Sequence, residues 1–307
     1  MNIILHVGTE KTGSTAIQSV LKDSYRELLS SGYLFPTNIG EPCHIKLTAC
    51  ALGGLNNSPI RKLLGIEEEE KFRQFTENTR ENLRSEIKKT NPKTLVISDE
   101  HINAHLAGAK LLAEYKKVIE EFGTVQTVII YLRRQDYFRL SLFAEAVKSG
   151  NLTHFDTDDL LPVFDRVPPR FDYLNILQNL EEVFGKECLI PRVFDRSAFL
   201  DRNVVNDFID VCRLPLSHQA LNRNDKNSSI DGRVIRPLAK VSSFIQKAGL
   251  SNKLRNSIIS RLSGLFSGPS IVLEPDVHRS YMRQFEEQNR QIKKRYFEHL
   301  PGDTLFK

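Results

Sequence analysis

NIILHVGTEKTGST, residues 2–15, is the stretch of sequence that decides the fold. Its first six residues form a short and almost continuous apolar run, which is typical of a strand buried in a parallel sheet. Gly8 and Gly13 follow, and a helical pattern runs from Ser14 to Ser30, with apolar side chains near one face and Gly32 just past its end. The sequence therefore predicts a strand, a glycine-containing loop and a helix in direct succession.

The same alternation continues along the chain. Apolar runs predict further strands at 94–98, 125–132 and 188–194, and helical periodicity predicts helices at 67–89, 109–122, 137–148, 173–184, 203–212 and 275–297. This order is typical of α/β proteins, in which a central parallel β-sheet is flanked by helices and ligands lie at the carboxyl ends of the strands. We predict one domain over residues 1–307, with an α/β core at 1–235 and a helical C-terminal extension at 236–307.

Composition narrows the class of protein. With 307 residues, of which 40% are hydrophobic, the chain can build one sizeable core, and a net charge of only +5 favours an anionic ligand over nucleic acid.

The four cysteines show no C-x-x-C spacing, so we expect reduced thiols in the cytoplasm and neither a zinc site nor disulfides. The first apolar run is too short for a signal peptide, and no window resembles a transmembrane segment. His6, inside the first strand, is predicted to be a packed core residue.

The loop from Gly8 to Thr15 is a candidate anion site. Glycines allow a tight turn that aims backbone N–H groups at an anion, and the amino terminus of the following helix adds partial positive charge. The glycine spacing fits the first part of the nucleotide motif G-x-x-x-x-G-K-[ST], but Ser14 stands where that motif requires lysine. The lysine lies inside the loop instead, as Lys11. A purely structural turn, with Ser14 as the helix N-cap, is the alternative.

Two motifs resemble those of the sulfotransferase family. Lys11 followed by Thr12-Gly13-Ser14-Thr15 resembles that family's 5'-phosphosulfate-binding loop, commonly written P-K-[ST]-G-[ST]-T, with Glu10 as the departure. Arg133 and Ser141, eight residues apart, resemble its 3'-phosphate-binding motif. The resemblance covers about residues 3–235. Within the family, the chain most resembles bacterial and carbohydrate sulfotransferases. The resemblance implies a P-loop-like fold that binds 3'-phosphoadenosine-5'-phosphosulfate (PAPS) as donor through Lys11, Thr12, Gly13, Ser14, Thr15, Arg133 and Ser141.

The resemblance also implies catalytic residues. Family members place a glutamate or histidine base near the end of the strand that corresponds to 94–98, and Asp99-Glu100-His101 follow that strand here. Because sulfuryl transfer to a hydroxyl needs a base within hydrogen-bond reach of the acceptor, we favour Glu100, with His101 as the alternative or as a helix-capping residue. Lys11 is expected to neutralise charge on the leaving phosphate. Arg223 or Lys226, in a late polar loop, resembles the basic residue that covers the 3'-phosphate in the family, although a solvated linker fits equally well.

These residues predict an enzyme that transfers a sulfuryl group from PAPS to a hydroxyl, most simply of a glycan or glycoconjugate, without a metal and without nucleic acid as a partner. The connections at 35–65 and 150–170 are expected to line the acceptor cleft.

Two alternative functions stay open. A magnesium-dependent P-loop kinase or ATPase would explain an apolar strand followed by Asp-Glu, but it needs the lysine that is missing after Gly13. A non-catalytic nucleotide-binding module would need only the loop.

Overall fold

The computed structural model describes residues 1–40, 43–53, 58–106, 108–152, 155–218, 231–247, 257–259, 261–262, 265–266 and 268–306. The chain divides into two compact units. The first comprises Met1–Arg133, Pro168–Arg223 and Gln288–Lys307, and the second comprises Arg134–Val167 and Asn224–Glu287. The single-domain organisation with a boundary at residue 235 stays a prediction. Arg223 and Lys226 lie outside the described residues.

The first unit contains a five-stranded sheet in which every neighbouring pair of strands is parallel. The strands are β1 (Asn2–His6), β2 (Tyr33–Leu34), β3 (Thr94–Ser98), β4 (Thr124–Leu132) and β5 (Leu189–Val193). Their spatial order is β2-β3-β1-β4-β5. The predicted α/β class with a central parallel sheet flanked by helices is therefore confirmed.

β1 occupies the centre of this sheet. It pairs with β3 on one side and with β4 on the other, so that Asn2 lies opposite both Thr94 and Thr124. The chain winds from β1 to β2 and β3 on one side, and then crosses to β4 and β5 on the other. In such sheets the two directions of winding part at the carboxyl end of the central strand, which leaves a crevice there for a ligand.

Helices connect the strands of the first unit. They are α1 (Ser14–Asp23), α2 (Tyr25–Ser30), α3 (Ile45–Ala51), α4 (Pro59–Leu64), α5 (Glu69–Thr90), α6 (Ile102–His105), α7 (Ala109–Glu120), α9 (Tyr173–Phe184) and α10 (Val204–Val211). The predicted helix 14–30 is interrupted at Ser24, where the backbone leaves helical geometry. The stretch 35–65, predicted as a less regular connection, contains the two short helices α3 and α4.

One face of the sheet packs against an apolar cluster. Ile4 of β1, Val96 of β3 and Ile129 of β4, one residue from each central strand, belong to this cluster. Ile17 and Leu21 of α1, four residues apart and therefore on one helix face, pack against them. Complete burial of each such side chain contributes about 1.5–3 kcal/mol, so the cluster holds α1, and with it the preceding loop, against the sheet.

The second unit is built from helices. They are α8 (Gln135–Ser149), α11 (Ile235–Lys247) and α12 (Pro275–Arg283), and α13 (Glu286–Tyr296) begins here and ends in the first unit. The predicted long helix 275–297 is thus two helices. Within the unit, the buried carboxylate of Asp136 accepts hydrogen bonds from Arg134 at 2.8 Å and pairs with Nδ1 of His278 at 2.7 Å. No helix in the described part of the chain is long and apolar enough to span a membrane.

Candidate functional site

Polar segments meet at the carboxyl ends of the three central strands. β1 and β3 end in register, with His6 opposite Ser98, and β4 continues beside them to Leu132. The loop 8–13, the triplet 99–101 and Arg133 therefore emerge at one edge of the sheet. Ser141, the remaining predicted site residue, is half-buried in α8 of the second unit.

The start of the loop is an extension of the sheet. The N–H of Tyr131 donates to the carbonyl of Gly8 at 2.7 Å, and the N–H of Thr9 donates to the carbonyl of Tyr131 at 3.1 Å. The hydroxyl of Thr9 donates to the same carbonyl at 3.0 Å. The pairing of β1 with β4 thus continues two residues past Val7, and Gly8 makes the turn with a φ of 90° that favours glycine.

Hydroxyl groups close the loop from within. Thr12 donates its hydroxyl proton to the carbonyl of Thr9 at 2.6 Å, and Ser14 donates to the same carbonyl at 3.3 Å. These two hydroxyls tie the end of the loop and the start of α1 to the carbonyl of Thr9. The alternative that Ser14 is the helix N-cap is wrong, since Gly13 occupies that position with a left-handed φ of 82°. Lys11, half-buried, also has a left-handed φ, of 62°.

The amino terminus of α1 opens towards the loop. The N–H groups of Ala16 and Ile17 donate to the carbonyl of Gly13 at 2.9 and 3.1 Å. No carbonyl of the described residues accepts from the N–H groups of Ser14 and Thr15, as expected for the first turn of a helix. These amides and the partial positive charge of the helix end suit an anion. Thr15 is exposed, whereas Thr12 and Ser14 are buried.

Arg133 is fixed against the same loop. Its guanidinium donates to the carbonyl of Lys11 at 2.8 Å and lies over the ring of Phe194, with 5.6 Å between the guanidinium carbon and the ring centroid. The hydroxyl of Tyr173 donates to the carbonyl of Arg133 at 2.8 Å. Arg133 therefore links the end of β4 to the lysine of the loop, a contact that the sequence motif did not predict.

An ion pair at the loop was also missed. Arg170 lies 3.7 Å from the carboxylate of Glu10, the residue that departs from the family pattern. The side chains remain 43% and 24% exposed, so the pair contributes little to stability but places a second arginine beside the loop. Burial lowers the pKa of nearby His105 to about 4, with His101 and Arg170 lowering it further. No local sequence signal relates Arg170 to Glu10.

Glu100 lies directly beside the loop. A Cβ atom placed on Gly8 would lie 3.1 Å from the backbone nitrogen of Glu10 and 3.3 Å from both Cα and Cβ of Glu100, so the turn brings Glu100 close to Gly8. Burial raises the pKa of Glu100, while a hydrogen bond with Ser14 and the proximity of His101 lower it. Glu10 and Asp99 raise it further through their charges. The predicted base is thus a half-buried carboxyl beside Gly8 and close to Ser14.

Asp99 has a different role from its neighbour. It is completely buried, and its carboxylate accepts hydrogen bonds from the hydroxyls of Thr48 at 2.7 Å and Tyr115 at 3.4 Å. It also accepts one from the N–H of His101 at 3.2 Å. Burial raises the pKa of Asp99. The aspartate therefore ties α3 and α7 to the end of β3.

His101 stands at the N-cap position of α6, but its side chain accepts no N–H of that helix, so the capping role is not observed. Its Nδ1 is buried and has no hydrogen-bond partner among the described residues.

His6, as predicted, is a core residue: it is completely buried and its Nδ1 lies 2.8 Å from the hydroxyl of Ser98. Burial lowers the pKa of His6 to about 3.

Comparison with known proteins gives one relative. An uncharacterized protein of Archaeoglobus fulgidus is 24% identical over 182 residues, which cover 56% of this chain and 46% of that protein. The chain thus spans about half the length of this relative. No family model and no solved structure matches the chain.

Proposed function

We propose that the chain is a sulfotransferase that moves a sulfuryl group from PAPS to a hydroxyl of an acceptor, most simply a carbohydrate. One observation carries the proposal. The lysine-containing loop 8–13 lies at the carboxyl end of the central strand, in front of the amino terminus of α1, with Glu100 in contact with it. This arrangement combines an anion cradle with a base at the place where α/β sheets bind ligands.

The proposed reaction is an in-line displacement at sulfur. The acceptor oxygen forms a new bond to sulfur while the bond between sulfur and the 5'-phosphate oxygen breaks, and adenosine 3',5'-bisphosphate leaves. Glu100 accepts the hydroxyl proton, with His101 as the alternative base. Lys11 neutralises the charge that grows on the departing phosphate oxygens, and the amides of Ser14 and Thr15 hold that phosphate.

Arg133 and Ser141 are proposed to bind the 3'-phosphate, which ATP lacks. A guanidinium has five N–H donors in a planar fork that suits phosphate oxygens. The contact between Arg133 and the carbonyl of Lys11 supports this role, because it holds the arginine at the edge of the 5'-phosphate loop. Ser141 enters the proposal from the sequence motif alone. That the protein is cytoplasmic and that its acceptor is a glycan are likewise parts of the proposal.

The contacts of Asp99 argue against a magnesium-dependent kinase or ATPase. Such an enzyme would use the aspartate after the strand to hold the metal ion. Here four protein groups donate to that carboxylate, and serine stands where the motif needs lysine after Gly13.

Calorimetric titration tests the donor site. Adenosine 3',5'-bisphosphate, and separately ATP with Mg²⁺, would be titrated into the wild type and into the variants Lys11→Ala and Arg133→Ala. We expect metal-free binding of the bisphosphate, tighter than that of ATP and weaker in both variants. Lys22→Ala, which removes an exposed lysine at the far end of α1, serves as the matched control and should bind normally. Preference for magnesium-ATP that is insensitive to Arg133→Ala would refute the proposal.

A turnover assay separates an enzyme from a binding module. Radiolabelled PAPS would be incubated with the wild type and a panel of glycans, and transfer of label to a glycan would be measured. We expect label transfer that is lost in Lys11→Ala. Binding of the bisphosphate without transfer to any glycan in the panel would instead favour the non-catalytic module.

A further inference from the structure

A cysteine, a carboxylate and a histidine lie together beside the loop. The Sγ of Cys43, a carboxylate oxygen of Glu100 and a ring nitrogen of His101 all lie within 4.8 Å of one another. The three residues are half-buried. Cys43 comes from the segment before α3, and the other two follow β3, so the tertiary fold assembles the group from two distant parts of the first unit.

The separations suit a small tetrahedral ion after modest movement. Zinc binds sulfur at about 2.3 Å and nitrogen or carboxylate oxygen at about 2.0–2.2 Å, which sets tetrahedral ligand atoms about 3.3–3.6 Å apart. Because the ligand atoms lie within 4.8 Å of one another, side-chain movements that shorten their separations by at most about 1.5 Å would reach that spacing. Three protein ligands leave a fourth position for water, as in zinc sites that remain open.

The backbone that carries these ligands is held independently of them. The N–H of His44 donates to the carbonyl of Ser98 at 3.0 Å, and the N–H of Ser98 donates to Nδ1 of His44 at 3.1 Å. His44, next to Cys43, and Ser98, two residues before Glu100, are therefore joined by two hydrogen bonds, one in each direction. The cluster is consequently preorganised, which reduces the ordering cost of binding an ion.

The surroundings favour positive charge. Asp99 is completely buried, lies 3.9 Å from Sγ of Cys43 and accepts a hydrogen bond from the N–H of His101. It thus places a carboxyl group next to the Cys43 thiol and holds the backbone of His101, so a negative charge on Asp99 would favour a bound cation. The buried Nδ1 of His101 has no hydrogen-bond partner among the described residues, which leaves part of this polar group unsatisfied in the metal-free protein.

We propose that Cys43, Glu100 and His101 bind a thiophilic divalent cation, with Zn²⁺ as the best match. Cysteine, histidine and carboxylate are the ligand types that zinc uses, and thiolate selects against Mg²⁺ and Ca²⁺. Binding releases the thiol proton of Cys43 to solvent. The sulfuryl-transfer scheme needs no metal. One consequence rests on that scheme: an ion held by Glu100 occupies the proposed base, so metal binding and transfer exclude each other.

Cobalt spectroscopy tests the site without any assay of activity. Reduced, chelator-treated protein would be titrated with Co²⁺, which reports thiolate ligation through an ultraviolet charge-transfer band and four-coordination through intense visible bands. We expect one ion per chain and displacement of cobalt by Zn²⁺. Cys43→Ser should abolish the charge-transfer band, and His101→Asn should lower affinity at least about tenfold. Cys50→Ser, which alters a buried thiol of α3 outside the cluster, is the matched control and should retain the band.

Two results would overturn the proposal: absence of the charge-transfer band in the wild type, or an unchanged band in Cys43→Ser. Circular dichroism would confirm that each variant is folded, and His101→Asn provides a second readout if Cys43→Ser fails to fold. Loss of the cobalt spectrum with intact bisphosphate binding would refute only the metal site. A normal cobalt spectrum without bisphosphate binding would refute only the sulfotransferase proposal.

Discussion

Replacement of Gly13 by alanine tests the geometry of the loop at residues 8–13, which is proposed to bind an anion. Gly13 has a left-handed φ of 82°, and a Cβ atom there would lie 2.7 Å from Cγ1 of Val204 in α10. The left-handed conformation costs a residue other than glycine about 1–2 kcal/mol, and forcing extra volume into a packed contact costs about 1–3 kcal/mol. We therefore expect Gly13→Ala to lower the free energy of unfolding by about 2–5 kcal/mol.

The two contributions can be separated. Val204→Ala removes the methyl group that would clash, so Gly13→Ala made in that background should cost only the conformational part, about 1–2 kcal/mol. Gly65→Ala is the matched control, because Gly65 has a φ of 66° but no atom within 4 Å of an added Cβ. Its cost should likewise be about 1–2 kcal/mol.

Urea unfolding of the wild type, the three single variants and the double variant gives a double-mutant cycle. A coupling of about 1–3 kcal/mol between positions 13 and 204 is the expected result. Equal costs for Gly13→Ala and Gly65→Ala, with no coupling in the cycle, would show that α10 does not approach the loop as described. The bisphosphate should also bind more weakly to Gly13→Ala, since the loop must shift to accommodate the methyl group.

Further predictions concern single residues near the strand ends. The pKa of His6 is about 3 in the folded state and about 6.5 when unfolded, so its contribution to stability is present above pH 6.5 and is lost as the pH falls towards 3. Between pH 7 and pH 5 the wild type should therefore lose about 2 kcal/mol more than His6→Asn in urea unfolding, and parallel pH profiles would contradict this. Arg133→Lys keeps the charge but not the planar fork, so calorimetry should show at least about tenfold weaker bisphosphate binding; unchanged affinity would argue against phosphate contact. Glu100→Gln should reduce sulfuryl transfer about 10²–10⁴-fold with little change in bisphosphate affinity, and equal transfer would point to His101 as the base.

The strands could be predicted because short apolar runs, bounded by turn residues and alternating with helical patterns, are typical of buried parallel strands. β3 was predicted with its observed bounds, 94–98, since every residue in it is buried. β2 has two residues, too few to show any period, and was not predicted. The break at Ser24 was missed because the apolar pattern continues across it while the backbone does not.

The candidate site was predictable only where it is local in sequence. Glycine spacing predicted the turn at residues 8–13, because a turn and the helix that follows it depend on neighbouring residues. The pair between Glu10 and Arg170, and the position of Cys43 beside Glu100, join residues far apart along the chain. Such contacts depend on how helices pack against the sheet, and no periodicity in the sequence encodes them.

The pairing of Gly8 and Thr9 with Tyr131 makes the mouth of the loop a part of the central sheet. Local fluctuations of the loop are therefore opposed at its first two residues, which are hydrogen-bonded as part of the sheet. Deuterium exchange at the amide of Thr9 should accordingly require the same opening as exchange in the core strands. If so, the first residues of the loop should lose their structure together with the sheet when the protein is unfolded by heat or denaturant.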